Sequence, residues 1–102
     1  MQVVNVLSCL EMQMQDLEME IARLQEGTTQ EASKKRIMVL VERLNFCANA
    51  HKNTLGDYGE EIKSVINRLN EYLNGVIFAK DLRFELCVLS SVYLQVCENF
   101  SI

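Results

Sequence analysis

The sequence contains no proline and no tryptophan, and only four of its 102 residues are glycine. Proline and glycine form most tight turns, and a β-sandwich needs a turn about every 8–12 residues. Their scarcity predicts an all-α protein. No apolar run approaches the roughly 18 residues of a membrane-spanning helix, so no membrane segment is expected. The length predicts a single domain over residues 1–102.

Acidic residues outnumber basic ones, 14 to 10, and the net charge is −4. Binding of nucleic acid requires a surplus of lysine and arginine, so no nucleic-acid partner is expected. Residues 1–27 carry five acids against one base, residues 28–56 five bases against two acids. The only basic run, Lys34–Arg36, is typical of a solvated helix face. The opposite charges of these two segments predict that they are neighbours in space.

Apolar residues recur at alternating four- and three-residue steps, the pattern of a helix with a coiled-coil-type seam. Four helices are predicted, over residues 3–25, 29–52, 58–74 and 80–99. Their predicted inner faces are Val3, Leu7, Leu10, Met14, Leu17, Ile21 and Leu24; Ile37, Val41, Leu44 and Ala48; Ile62, Ile66, Leu69 and Leu73; and Leu82, Leu86, Leu89, Tyr93, Val96 and Phe100.

The predicted connections define the topology. Gly27 is typical of a helix C-terminus, and Thr28–Glu31 has the pattern of a capping box that starts the next helix. So short a connection makes the first two helices antiparallel. A loop is predicted over Asn53–Gly59, with Asp57 as N-cap of the third helix. The predicted fold is therefore a small four-helix bundle with an antiparallel N-terminal helical hairpin.

The fourth segment is apolar almost all round: 11 of the 16 residues from Leu82 to Cys97 are hydrophobic. A helix without a polar face is expected to be enclosed, so this helix is predicted to be the most buried. A β-hairpin over residues 76–89 is the alternative, because Phe84, Leu86 and Val88 also alternate with polar residues.

The sequence offers little equipment for catalysis. Its four cysteines are scattered and form no Cys-x-x-Cys pair, which predicts free thiols in a reducing, cytoplasmic compartment. Cys47 and His51, one helical turn apart, could supply two metal ligands or a nucleophile and its base, but zinc requires three or four protein ligands. No phosphate-binding loop or hydrolase motif occurs. No metal, cofactor or enzymatic activity is expected.

Four apolar residues lie opposite the predicted inner faces, in pairs seven residues apart: Met12 and Met19 on the first helix, Val39 and Phe46 on the second. Such residues form adaptable contact surfaces, although helices with two neighbours can also bury them. We predict that they bind a partner protein through helix packing, and the acids of the first helix favour a basic partner. The predicted function is a protein–protein interaction module such as a chaperone, adaptor or regulator, in a homodimer or hetero-complex. A structural subunit of a helical oligomer is the alternative.

Overall fold

Five α-helices account for most of the residues that the structure describes. A computed structural model describes residues 2–25, 30–75 and 79–99. The helices are α1 (Gln2–Gln25), α2 (Gln30–Ala50), α3 (Lys52–Leu55), α4 (Asp57–Leu73) and α5 (Ala79–Asn99). These three ranges contain no strand, and none of their helices is long and apolar enough to cross a membrane. The all-α prediction is confirmed. The hairpin alternative is excluded for residues 79–89, while residues 76–78 lie outside the described ranges.

The four long helices are arranged in a ring. Helix α1 contacts α2 and α5, and α4 contacts the same two helices. Helices α1 and α2 are antiparallel as predicted: Glu20 near the end of α1 binds Arg36 near the start of α2, and the earlier Asp16 shares a groove with the later Arg43. Each long helix therefore has two neighbours in the ring and turns a third side outward.

One hydrophobic core fills the ring, and the predicted inner faces supply most of it. Its buried members are Val6, Leu10, Met14, Leu17 and Ile21 of α1; Ile37, Leu40, Val41, Leu44, Cys47 and Ala48 of α2; Leu55 of α3; Ile62, Val65, Ile66, Leu69 and Leu73 of α4; and Leu82, Leu89, Val92 and Val96 of α5. Four predicted members are only partly buried at its edge: Leu7, Leu24, Leu86 and Tyr93. The predictions for the side chains of Val3 and Phe100 lie outside the described part of the chain.

Residues 53–59 are not the predicted loop. Lys52–Leu55 form a single helical turn, and α4 already begins at Asp57, so only Gly56 separates the two helices. The physical reason is Leu55, which is buried in the core and holds this segment against the bundle. Gly56 turns the chain with φ 57° and ψ −127°, a conformation that residues with a Cβ rarely adopt.

The predicted N-cap of α4 is wrong by one residue. Gly56 occupies the cap position without a side-chain hydrogen bond, and Asp57 is the first residue of the helix. In the first turn, the carboxylates of Asp57 and Glu60 still interact favourably with the positive end of the helix dipole. The other predicted start signal cannot be compared, because Gly27 and Thr28 lie outside the described residues.

The prediction that the last helix is the most enclosed is also wrong. Leu82, Leu89, Val92 and Val96 of α5 are buried. Phe84, Cys87 and Leu94, however, are exposed on the outward side of the helix. The ring covers α5 only where α1 and α4 pack against it, and no further described helix covers the third side.

Candidate protein-binding surface

The large apolar side chains that face solvent are the starting point for a candidate site. Among the described residues, seven are exposed: Met12, Met19, Met38, Val39, Phe46, Phe84 and Leu94. All four residues predicted to bind a partner belong to this set, and Phe46 is the most exposed, at 75%. The reading in which they are buried between neighbouring helices of the bundle is therefore excluded.

The tertiary structure brings these four residues onto one face. Met19 of α1 and Val39 of α2 line the same groove between the two helices. Met12 lies seven residues before Met19, and Phe46 seven residues after Val39. In an antiparallel pair these equal steps run in the same direction, and seven residues are nearly two full turns, so Met12 and Phe46 lie level on the same face. We call Met12, Met19, Val39 and Phe46 the apolar stripe.

The apolar stripe has two rungs, Met19 with Val39 and Met12 with Phe46. With a rise of 1.5 Å per residue, the rungs lie about 10.5 Å apart along the helices. The sequence predicted a second apolar stripe on each helix separately. That both belong to one surface follows from the way α1 and α2 pack.

A groove of about 370 Å³ opens at the Met19–Val39 rung. The buried side chain of Leu40 contributes to its lining, together with five charged residues that sequence reasoning did not assign to a site. These are Asp16 and Glu20 of α1 and Lys35, Arg36 and Arg43 of α2. The basic run at 34–36 was a detectable signal, but periodicity alone did not show that two of its members border an apolar surface.

Glu20 is the best-satisfied charge of the groove. Although it is only 9% exposed, its carboxylate accepts a hydrogen bond from Arg36 Nε at 2.9 Å and another from Arg23 Nη1 at 3.1 Å. The Glu20–Arg36 pair joins the acidic α1 to the basic α2, so the predicted contact between these segments is confirmed. Two guanidinium groups offset the cost of holding this carboxylate at the edge of the core.

The other two cations of the groove have no such match. Lys35 and Arg43 are exposed, and neither forms a salt bridge within the described part of the chain. The groove is thus lined by three bases and two acids, whereas the whole chain has a net charge of −4. Glu11 of α1 lies elsewhere, since its carboxylate accepts a hydrogen bond from the Tyr93 hydroxyl of α5 at 3.4 Å. Of the acids of the first helix, Asp16 and Glu20 therefore line the groove, and the preference for a basic partner stays a prediction.

A second exposed apolar region lies on α5. Phe84, Cys87 and Leu94 follow one another at spacings of three and seven residues, which places them along one side of the helix. Helix α5 packs against α1 and α4 and lies diagonally across the ring from α2. We call these three residues the α5 face. It is separate from the apolar stripe, and sequence reasoning missed it because it predicted burial for this helix.

The surroundings of Cys47 do not favour a reactive thiol beside His51. Cys47 is buried beside the Cys9 thiol, and burial first, then the neighbouring thiol, raises the pKa of Cys47 well above its ordinary value. A thiol held in its neutral form is a poor nucleophile and a poor metal ligand. His51 meets Cys47 through the backbone, its amide donating to the Cys47 carbonyl at 3.2 Å. Within the described ranges, no three His, Cys, Asp or Glu residues come close enough together to hold a metal ion.

Comparison with models of known protein families, with curated proteins and with solved structures finds no match to this chain.

Proposed function

We propose that the protein is a non-enzymatic protein–protein interaction module that binds a helix of another protein across α1 and α2. In this role it acts in the cytoplasm as a small chaperone, adaptor or regulator. The observation that carries the proposal is the apolar stripe: four large side chains from two helices, all exposed, on one face beside an open groove. Exposed apolar surface of this kind is typical of protein-binding sites.

The dimensions of the apolar stripe favour a helix as the bound element. A helix lying along the groove between α1 and α2 presents side chains at i and i+7 about 10.5 Å apart, which matches the separation of the two rungs. Methionine side chains adapt to anchors of different shape, and two of the four stripe residues are methionine. The bound helix would thus pack on the outward side of the α1–α2 pair, where the apolar stripe is exposed.

Site-specific photo-crosslinking tests the proposal in cells that produce the protein naturally. A photoreactive amino acid replaces Val39 in the apolar stripe and, as a matched control, Asn67, which is exposed on α4. We expect position 39, but not position 67, to crosslink to a second protein. Mass spectrometry identifies the crosslinked segment, whose sequence should have the periodicity of an amphipathic helix. Phe46→Ser should abolish that crosslink. Equal crosslinking from both positions, or no crosslink from position 39, would contradict the proposal.

The α5 face supports a second candidate function, that of a structural subunit in a helical oligomer. Phe84 and Leu94 are exposed although they belong to the stretch from Leu82 to Cys97, in which 11 of 16 residues are hydrophobic. A second copy packed on this face would cover them and also Cys87. Labelling with a maleimide distinguishes the candidates: the monomer should react readily at Cys87, whereas an oligomer joined through α5 should protect Cys87 until it is diluted below its dissociation constant.

A further inference from the structure

The charges around the apolar stripe indicate which kind of helix it accepts. We infer that the partner is an acidic amphipathic helix whose apolar residues contact the two rungs while its carboxylates pair with Lys35 and Arg43. This inference rests on the proposed function, since it names the chemistry of the helix bound at the same surface.

Lys35, Val39, Arg43 and Phe46 form a ladder along one side of α2. They are separated by four, four and three residues, so that successive members lie about one turn apart on the same side of the helix. Cations and apolar side chains alternate along this line. Arg43 lies between the two rungs, and Lys35 lies one turn beyond the Met19–Val39 rung.

A complementary helix has the same alternation with the charge reversed. Its two apolar anchors are seven residues apart, one acidic residue lies midway between them beside Arg43, and another lies one turn beyond the first anchor beside Lys35. Helical side chains at such spacings share one face, so a single partner helix can make all four contacts at once.

Among the residues that line the groove, the bases outnumber the acids. Glu20 is already held by Arg36 and Arg23. Asp16 of α1 lines the same groove as Arg43 of α2, yet it forms no salt bridge among the described residues. The groove therefore has one carboxylate outside a salt bridge, that of Asp16, and two exposed cations of α2, Lys35 and Arg43. It is basic in a molecule whose net charge is −4.

The same charges argue against a second copy of this chain as the occupant. Two copies joined by a two-fold axis place the same patch on both sides of the interface, and here that patch is basic. Like charges brought together across an interface disfavour the pairing. An acidic helix of another protein, in contrast, brings negative charges to this basic surface and is attracted to it.

Binding of designed peptides tests the inference directly. The acidic probe is a fluorescent peptide of about 20 residues with the two leucine anchors and two glutamates described above, in an alanine-rich helical background. Two comparison peptides carry lysine or glutamine at the glutamate positions, and circular dichroism verifies that all three are helical. At low ionic strength we expect the acidic peptide to bind about tenfold more tightly than the lysine peptide, with a difference that shrinks as salt is added.

Charge-reversed variants of the protein supply the matched control. K35E/R43E should reverse the order of the acidic and lysine peptides. K80E/R83E makes the same change of net charge at exposed positions of α5, outside the groove, and should leave the order unchanged. Thermal melts of both variants establish that they fold.

The possible outcomes distinguish a failure of the proposed function from a failure of the inference that the partner helix is acidic. If all three peptides bind equally and M19S/F46S abolishes their binding, the surface binds helices but the inference about acidity is wrong. If no peptide binds, or if M19S/F46S binds as well as the parent, both the inference and the proposed function are overturned.

Discussion

Arg68 of α4 donates a hydrogen bond from Nε to Oε1 of Glu85 on α5 at 2.7 Å, and the side chain of Glu85 is only 1% exposed. The hydroxyl of Tyr72 lies 3.4 Å from the other carboxylate oxygen. Burial first, and then the charge of Glu85, raises the pKa of Tyr72, so its hydroxyl remains a hydrogen-bond donor. A carboxylate enclosed among apolar residues is thus matched by one guanidinium and one hydroxyl, and these contacts align α4 with α5.

Removing Arg68 should destabilise the protein. Arg68→Ala leaves the Glu85 carboxylate buried with Tyr72 alone, and we expect the free energy of unfolding to fall by about 2–3 kcal/mol, below the usual cost of breaking a buried pair because the Arg68 side chain is 41% exposed. Urea denaturation measures this change. The double variant R68L/E85L should recover most of the loss, since it removes both charges. A loss below about 0.5 kcal/mol for Arg68→Ala would show that Glu85 is effectively solvated.

Leu44 and Phe46 should respond in opposite ways to truncation, although they are two residues apart. Leu44 is buried in the core, so Leu44→Ala should lower the free energy of unfolding by about 3 kcal/mol. Phe46→Ala should change it by no more than about 0.5 kcal/mol, because the ring faces solvent. Chemical denaturation of both variants measures the difference. Similar losses in the two variants would place Phe46 in the core and remove the apolar stripe as a docking surface.

Gly56 should tolerate a side chain much less well than Gly75. An added Cβ meets no heavy atom within 4 Å at either position, so steric contact does not distinguish them. Only Gly56 has a positive φ, 57°, and Gly56→Ala should therefore cost about 1–3 kcal/mol of stability through backbone strain alone. Gly75→Ala should be nearly neutral. Thermal melts of the two single variants compare them, and equal melting temperatures would contradict the turn described between α3 and α4.

Tyr93 should make the protein less stable at high pH. Burial, followed by the neighbouring Cys97 thiol and the Glu11 carboxylate, raises the pKa of Tyr93 from 10.0 to about 12. Because the folded state favours the protonated hydroxyl, this contribution to stability is complete below pH 10 and is lost as the pH rises through 12.

Urea denaturation at several pH values from 9 to 12 tests this dependence in the parent and in Tyr93→Phe. The phenylalanine variant keeps the ring but has no hydroxyl to ionise, so its stability should fall less steeply above pH 10. Near pH 7 the difference in the free energy of unfolding between the two proteins should not change with pH. Parallel stability curves over the alkaline range would show that Tyr93 is not the group responsible.

Much of the fold follows from local sequence patterns. The spacing of Leu10, Leu17 and Ile21, or of Ile62 and Ile66, depends only on the 3.6-residue period of a helix, and this period is the same whatever the helix packs against. The same reasoning placed Met12, Met19, Val39 and Phe46 opposite the inner faces, where they are exposed. Periodicity within one helix thus determined which side chains share a face.

Only the packing of the helices decided how those faces are used. The register and rotation of α1 against α2 place Met19 beside Val39 and Arg36 beside Glu20, and no periodicity within one segment contains that information. The same holds for Glu85, whose buried carboxylate accepts hydrogen bonds from Arg68 and Tyr72 of α4. It also holds for Phe84, which is exposed because the ring provides α5 with neighbours on two sides only. Side chains distant in sequence are partners only where the tertiary structure brings their helices together, so both the basic groove and the buried ion pair are properties of the assembled bundle.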